Sequence, residues 1–196
     1  MLLPYLKEFI HRNPHISISI ECQSTNETLK LLDDDKIDIG LIGKPASLKT
    51  FNFYYLDNIE DIFVTTKDYL RNLSARGVKK SEILQNSTLM LLDKGNMTRK
   101  YIDDYLQENQ IHVKDSIDIS NMDLLIDFAK IGVGVACVIK SIVSKELADG
   151  TLIEIPLGIP IHKREVGFAT RSLQSFPPLC RPLSSFMRAT HQRIFK

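Results

Sequence analysis

The chain has 196 residues, which is enough for one domain of ordinary size or for two small ones. Its 25 basic and 24 acidic side chains give a formal net charge of +1, and no block of like charge stands out along the sequence. An isolated DNA-binding domain is usually more basic, with its positive charges clustered in one part of the sequence, so the composition disfavours that class.

The cysteines and histidines give little support to a metal site. The three cysteines are odd in number and far apart, which favours reduced core thiols over disulfides; they are Cys22, Cys137 and Cys180. His11 and His15 stand four residues apart, but Pro14 between them breaks the helix that would place both on one face. No metal ion is therefore expected.

The sequence gives no sign of a membrane segment or an export signal. No stretch approaches the roughly 18 consecutive apolar residues of a membrane span, and the charged residues Lys7 and Glu8 soon follow the apolar start of the chain. We therefore expect a cytoplasmic protein without a membrane partner.

The first part of the chain alternates between the residue spacing of a helix and that of a strand. A helix is predicted up to Pro14 and a second one after Ser24, whose spacing to Glu27 is that of a capping box. Strands are predicted at Ile16–Ile20, where apolar and polar residues alternate, and at Ile37–Ile42. Such alternation predicts parallel strands with helices packed on the sheet.

The same pattern resumes after a less regular stretch. Strands are predicted at 61–66, 89–92, 115–119, 133–139, 152–155 and 165–170, and helices at 98–109, 122–130 and 140–148. Gly132 suits the left-handed residue that ends the second of these helices. An apolar stripe after Pro177-Pro178 predicts a last helix. Two successive α/β units fit this order better than one continuous sheet.

Three loops of the predicted α/β units are candidate binding sites, because ligands bind beyond the carboxyl ends of strands, where helices begin. They span residues 23–26, 94–99 and 120–122. In the middle loop Gly95 permits close backbone approach, Thr98 offers a hydroxyl and Arg99 a positive charge, which suits a carboxylate, sulfate or phosphate. Alternatively, Thr98 caps the helix and Arg99 is solvated, while Ser24 and Ser120 are plain N-caps.

Motifs of catalysis are not found in the sequence. It contains no G-x-S-x-G elbow, no P-loop and no G-x-G-x-x-G segment after a strand. No cysteine and histidine pair can be argued to lie close together. By itself this absence is weak evidence, but it agrees with the family resemblance given next, which implies no enzymatic activity, no catalytic residues and no cofactor.

Four segments, in the same order along the chain, resemble the effector-binding domain of LysR-type bacterial transcription regulators. They are Leu2 to Phe9 with Asn13-Pro14 and Ile16 to Ile20, then Asp35 to Ile42, then Phe128 to Ala136, and finally Leu173 to Pro178 with Phe186. Each segment matches only loosely, but their order over nearly the whole chain is specific. In one respect the chain departs from the family, in which a strand and a Ser/Thr-bearing loop precede the first helix. Either the numbering starts inside a longer protein or the first strand is missing, and a missing strand would leave a gap in the first sheet.

The resemblance implies an α/β fold with two Rossmann-like subdomains joined by two crossover strands, as in type II periplasmic-binding proteins, with the ligand in the cleft between them. Subdomain I is expected at residues 1–66 plus 167–196 and subdomain II at 67–166. The family's DNA-binding helix-turn-helix lies N-terminal to this region and is absent from this chain. The resemblance also implies a homodimer or tetramer that contacts DNA only through that missing domain.

The resemblance selects candidate ligand-binding residues on the loops that line the cleft in relatives. Together with the residues chosen for their chemistry, the full set of candidate ligand-binding residues is Gln23, Ser24, Thr25, Gly43, Lys44, Gly95, Asn96, Thr98, Arg99 and Asn121. The function we expect is the binding of a small anionic metabolite, whose effect is transmitted to DNA-binding domains. The alternatives are a solute-binding protein of a transporter, which the upstream sequence would reveal, and an enzyme on the same fold, such as a transferase, which turnover of the ligand would reveal.

Overall fold

The computed structural model describes residues 3–45, 47 and 50–171, and the chain divides into two compact units. The first unit comprises residues 1–57 and 166–196, and the second comprises residues 58–165. The helix predicted after Pro177-Pro178 and the closing motif from Leu173 to Phe186 lie outside the described residues. In the described part of the chain, no helix is long and apolar enough to cross a membrane.

Seven helices and eight strands make up the described ranges. The helices are α1 (Leu3–Arg12), α2 (Thr25–Asp33), α3 (Lys67–Ala75), α4 (Ile83–Asn86), α5 (Met97–Glu108), α6 (Met122–Lys130) and α7 (Ser144–Asp149), with a short 3-10 turn at Lys80–Glu82 before α4. The strands are β1 (Gly40–Gly43), β2 (Phe51–Ile59), β3 (Asp61–Thr65), β4 (Thr88–Leu92), β5 (Asp115–Ile119), β6 (Val135–Ile139), β7 (Ile153–Glu154) and β8 (Arg164–Arg171).

The first unit contains a three-stranded sheet in the order β1-β8-β2. Strand β1 runs antiparallel to β8, with Leu41 opposite Phe168. Helix α2 packs close to β1, and a Cβ atom at Gly40 would lie 2.5 Å from the Thr28 Cγ2 atom, so any larger residue there would force the Thr28 side chain to move. Buried Leu32 from α2 and Ile42 from β1 form the centre of this small core.

The prediction of a strand at Ile16–Ile20 is wrong. This segment has no regular secondary structure, and Ile18 and Ile20 are exposed. Alternating apolar residues specify which side chains share a face, but a strand also needs a neighbour for its backbone hydrogen bonds. The segment belongs to neither sheet of the described chain. The next predicted strand, Ile37–Ile42, forms only at its end, as β1.

The second unit contains a five-stranded sheet in the order β5-β4-β6-β3-β7. Strand β4 is parallel to both β5 and β6, as the α/β alternation predicts, whereas β3 is antiparallel to both β6 and β7. Because β3 belongs to this sheet, the division between the units falls before it, within β2, whereas the sequence placed the boundary after residue 66. The second division falls within β8.

Side chains from both faces of this sheet are buried, which explains its apolar strands. Alternate residues of β3, β4 and β6 enter two different clusters, as the pleat requires. Phe63 lies in the cluster covered by α3, α4 and α5, and its neighbours Ile62 and Val64 lie in the cluster covered by α6 and α7. The second unit is therefore a sheet with helices on both faces, as the predicted α/β fold requires.

Local features of the second unit agree with the sequence in detail. Strand β5 and helix α6 have the predicted bounds, and Gly132 beyond α6 adopts a φ of 76°. Cys137 is buried as expected, but Cys22 is exposed, so it is not a core thiol. Among the described residues, no group of three or more His, Cys, Asp or Glu side chains could hold a metal ion.

Candidate functional site

The loops that follow β4 and β5 start from neighbouring strand ends. The two strands are parallel and in register, with Leu92 opposite Ile119 at their last residues. The backbone N–H of Asp93 donates to the carbonyl oxygen of Ile119 at 3.1 Å, which joins the start of the first loop to the end of β5. The loops lead directly into α5 and α6, so the second unit brings two helix N-termini to one edge of its sheet.

Asparagine side chains cap both of these helices. The Oδ1 atom of Asn96 accepts a hydrogen bond from the Thr98 N–H at 2.8 Å, and the Oδ1 atom of Asn121 accepts one from the Leu124 N–H at 2.9 Å. The alternative in which Thr98 and Ser120 act as the caps is therefore wrong. Gly95, one residue before the first cap, is exposed and donates its N–H to Asp93 Oδ1 at 3.1 Å. Asparagine is among the preferred N-cap residues because its short side chain reaches the free amides.

Thr98 lies in the first turn of α5, and its hydroxyl oxygen accepts a hydrogen bond from Arg164 Nη2 at 3.3 Å. The same guanidinium donates to both carboxylate oxygens of Asp61, at 2.6 and 2.8 Å. The Asp61 side chain is fully buried, and that of Arg164 is 13% exposed. The Arg164 guanidinium also lies over the ring of Tyr101, 5.2 Å from its centre. These contacts join the first residues of β3 and β8 to the start of α5.

Arg99 is engaged by carboxylates rather than solvated. Its side chain is buried, with Nε donating to Asp103 Oδ1 at 2.8 Å and Nη1 donating to Leu92 O at 2.9 Å and also to Asp118. Burial opposes the charge, but the two carboxylates outweigh it and raise the pKa of Arg99 above its ordinary value. The guanidinium therefore fastens α5 to the ends of β4 and β5.

The remaining candidates belong to the first unit, on or beside α2 and β1. Ser24 is the N-cap of α2 and accepts a hydrogen bond from the Glu27 N–H at 3.3 Å, so the predicted cap is confirmed. Thr25 is the first residue of that helix, and Gln23 before it is exposed. Gly43 ends β1, and the exposed Lys44 ammonium lies 5.8 Å from the centre of the Phe53 ring; neither position reveals a ligand.

Asp61 and Arg164 were not predicted from the sequence. The only local signal was an acidic residue opening an otherwise apolar buried strand, because a carboxylate in such a place requires a partner. That the partner is Arg164, which lies 103 residues further along the chain, could not be found from spacing.

A sheet covered by helices on both faces, with capped helix N-termini beyond adjacent parallel strands, is typical of α/β proteins that bind small molecules. Residues 1–192 match the family described as "LysR substrate binding domain". The chain therefore belongs to this family, and the resemblance stated from the sequence is confirmed.

Two curated relatives are transcription regulators. The chain is 22% identical to an uncharacterized HTH-type transcriptional regulator, YeiE of Escherichia coli strain K12, over 90% of this chain and 62% of the relative. It is 23% identical to the HTH-type transcriptional activator IlvY of Haemophilus influenzae, over 91% of this chain and 62% of the relative. The chain thus spans about three fifths of the length of these relatives.

Three solved structures of similar fold are effector-binding or regulatory domains in complex with a small molecule. The regulatory domain of CcmR from Synechocystis in complex with 2-PG has a TM-score of 0.83 at 15% identity, with coverage of 97% of this chain and 91% of that one. The effector-binding domain of QuiR with shikimate has a TM-score of 0.80 at 15% identity, with coverage of 98% and 91%. The effector-binding domain of BenM with benzoate has a TM-score of 0.75 at 16% identity, with coverage of 99% and 87%. At such identities the likeness establishes the fold.

Proposed function

We propose that this chain is the effector-sensing part of a LysR-type transcription regulator and that it binds a small anionic molecule at the loops before α5 and α6. The observation that carries the proposal is the arrangement of two asparagine-capped helix N-termini beyond the neighbouring ends of β4 and β5. Helix N-termini present free N–H groups and the positive end of the helix dipole, which favour an anion.

The ligands of similar folds support an anionic effector. Shikimate and benzoate, which are bound to the QuiR and BenM domains, are both carboxylates at neutral pH. In this chain Thr98 adds a hydroxyl at the start of α5, and Asn96 and Asn121 each carry an amide group beside a helix N-terminus.

The charges near α5 favour recognition by neutral donors. Both arginines beside the start of this helix are already paired, Arg99 with Asp103 and Asp118, and Arg164 with Asp61. An anion at this edge would therefore be held by backbone N–H groups, amides and a hydroxyl rather than by an ion pair. The first-unit candidates, from Gln23 to Lys44, remain predictions for the rest of the site.

Family membership supports the remaining parts of the proposal. The relatives are HTH-type regulators, so we propose that effector binding is transmitted to a DNA-binding domain outside this chain. A regulator of transcription would act in the bacterial cytoplasm, as a homodimer or tetramer, and would sense the effector without converting it chemically. DNA contact would belong to the other domain.

The first experiment is a thermal-shift screen of the chain against sulfate, phosphate, shikimate and benzoate, followed by calorimetric titration of every anion that raises the melting temperature. A ligand that binds only the folded state at 100 times its Kd adds about 2.7 kcal/mol of stability, which is readily detected.

Variants at Thr98 then locate the site. We expect Thr98→Val, which keeps the shape but removes the hydroxyl, to weaken binding of the selected anion about tenfold or more, because a hydrogen bond to a charged group contributes about 1.5 kcal/mol or more. Thr98→Ser keeps the hydroxyl and serves as the matched control, with affinity near that of the wild type. If no anion shifts the melting temperature, or if Thr98→Val binds as tightly as the control, the proposed anion site is wrong.

A further inference from the structure

We infer that Arg164 is a positioning residue that turns the Thr98 hydroxyl into a hydrogen-bond donor for the ligand. The inference rests on the proposed function and extends it to a residue on a different element, the first residue of β8. The contact between Arg164 Nη2 and Thr98 Oγ1, at 3.3 Å, carries the argument.

The direction of this hydrogen bond is fixed by chemistry. A guanidinium has five N–H donors and no acceptor, so the Thr98 oxygen must accept and its own proton must point elsewhere. Within the described residues the Thr98 hydroxyl donates to no acceptor, and the residue is half-buried in the first turn of α5. A threonine in a helix can donate its hydroxyl to a carbonyl three or four residues earlier, but Thr98 does not do so in the described residues. Here the proton remains available to an incoming anion.

The guanidinium is held firmly enough to fix the hydroxyl. Asp61 binds it through two oxygens, and the buried carboxylate has no exposure to water that could compete. The ring of Tyr101 covers one face of the guanidinium, and the Tyr101 hydroxyl donates to the His162 carbonyl at 2.8 Å, which fixes the ring in turn. Arg164 therefore has little freedom to turn away from Thr98.

The same pairing prevents Arg164 from acting as the counter-ion of the ligand. Its positive charge is balanced by Asp61 at hydrogen-bond distance, so an approaching anion meets a neutral pair. The effect of Arg164 on binding should thus pass through Thr98. This gives a specific expectation: the contribution of Arg164 to affinity disappears when the Thr98 hydroxyl is absent.

A double-mutant cycle with Arg164→Lys and Thr98→Val tests the inference. Lysine keeps a positive charge for buried Asp61, but its compact ammonium cannot reproduce the planar fork that reaches two oxygens of Asp61 and Thr98 together. Affinity is measured by calorimetry with sulfate and with benzoate as probes. Arg71→Lys is the matched control, because the Arg71 side chain is 77% exposed and pairs only with Asp68 in the described chain.

We expect Arg164→Lys to weaken binding of the probe about two- to tenfold in the wild-type background, as for one hydrogen bond, and to have no further effect in the Thr98→Val background. The control should bind as the wild type does. Should Arg164→Lys fail to fold, the double variant Asp61→Leu with Arg164→Met replaces the buried pair by apolar side chains and must show the same dependence on Thr98.

The outcomes separate this inference from the proposed function. If the wild type binds the probes but Arg164→Lys has no effect, or has the same effect with and without the Thr98 hydroxyl, only the role of Arg164 is overturned. If the wild type binds none of the four anions of the thermal-shift screen, sulfate and benzoate included, the proposed anion site falls and the role of Arg164 falls with it.

Discussion

Replacing Arg99 with methionine removes the guanidinium that fastens α5 to the ends of β4 and β5 but keeps most of the buried apolar stem. The bond from this charged donor to the Leu92 carbonyl, at 2.9 Å, should contribute about 1.5–2 kcal/mol to stability. The pairs with Asp103 and Asp118 involve carboxylates that are 46% and 43% exposed, so solvent screening limits both together to about 1 kcal/mol. The expected loss in the free energy of unfolding is therefore about 2–3 kcal/mol.

Urea denaturation followed by circular dichroism measures this loss. Lys100→Met is the matched control, because its exposed side chain lies on the same helix and its substitution should change stability by about 0.5 kcal/mol or less. The affinity of Arg99→Met for an anion selected in the thermal-shift screen should be nearly unchanged, since the guanidinium already serves three oxygens. If the variant instead keeps its stability and loses the anion, Arg99 is a ligand-binding residue and the structural reasoning is wrong.

Three further predictions concern the second unit. Gly134→Ala should destabilise the protein by about 2 kcal/mol or more in urea denaturation, because the added Cβ would lie 2.3 Å from the Thr88 carbonyl oxygen; unchanged stability would contradict this geometry. Burial raises the pKa of the Cys137 thiol, so alkylation detected by mass spectrometry should be slow in the native protein and fast in urea; equal rates would refute it. The hydrogen bond from Lys140 lowers the pKa of Glu60 below its ordinary value of 4.5, so this stabilisation is present above pH 4.5 and is lost as the pH falls through the folded-state pKa. The free energy of unfolding of Glu60→Gln should therefore fall less than that of the wild type on acidification. An equal fall would show that the Glu60–Lys140 interaction does not contribute to the pH dependence.

The sequence predicted well those features that depend on neighbours along the chain. The bounds of β5 and α6, the cap at Ser24 and the left-handed Gly132 all follow from interactions that span only a few residues. Capping is decided by a side chain and an N–H group two or three positions away, so the residue type and its spacing carry the information. Two other caps were assigned to the wrong residue, because Asn96 and Asn121 cap α5 and α6 where the sequence offered Thr98 and Ser120.

The other errors arose where the partner is distant in sequence. Ile16–Ile20 has the pattern of a strand, but pairing depends on which other strands lie beside it, and a pattern cannot supply that. The placement of β3 in the second sheet is a similar case, because only its pairing with β6 and β7 decides it.

The charges at the start of α5 show the same division most clearly. The sequence by itself determined that Arg99 and Thr98 lie at a helix start, where an anion could bind. Only the tertiary structure shows that Asp118, on β5, pairs with the Arg99 guanidinium. It also shows that Arg164, 66 residues away in sequence, donates a hydrogen bond to Thr98 while Asp61 holds its guanidinium. A helix start is specified by local hydrogen bonds, whereas the partner of a charge is specified by the order of strands in a sheet.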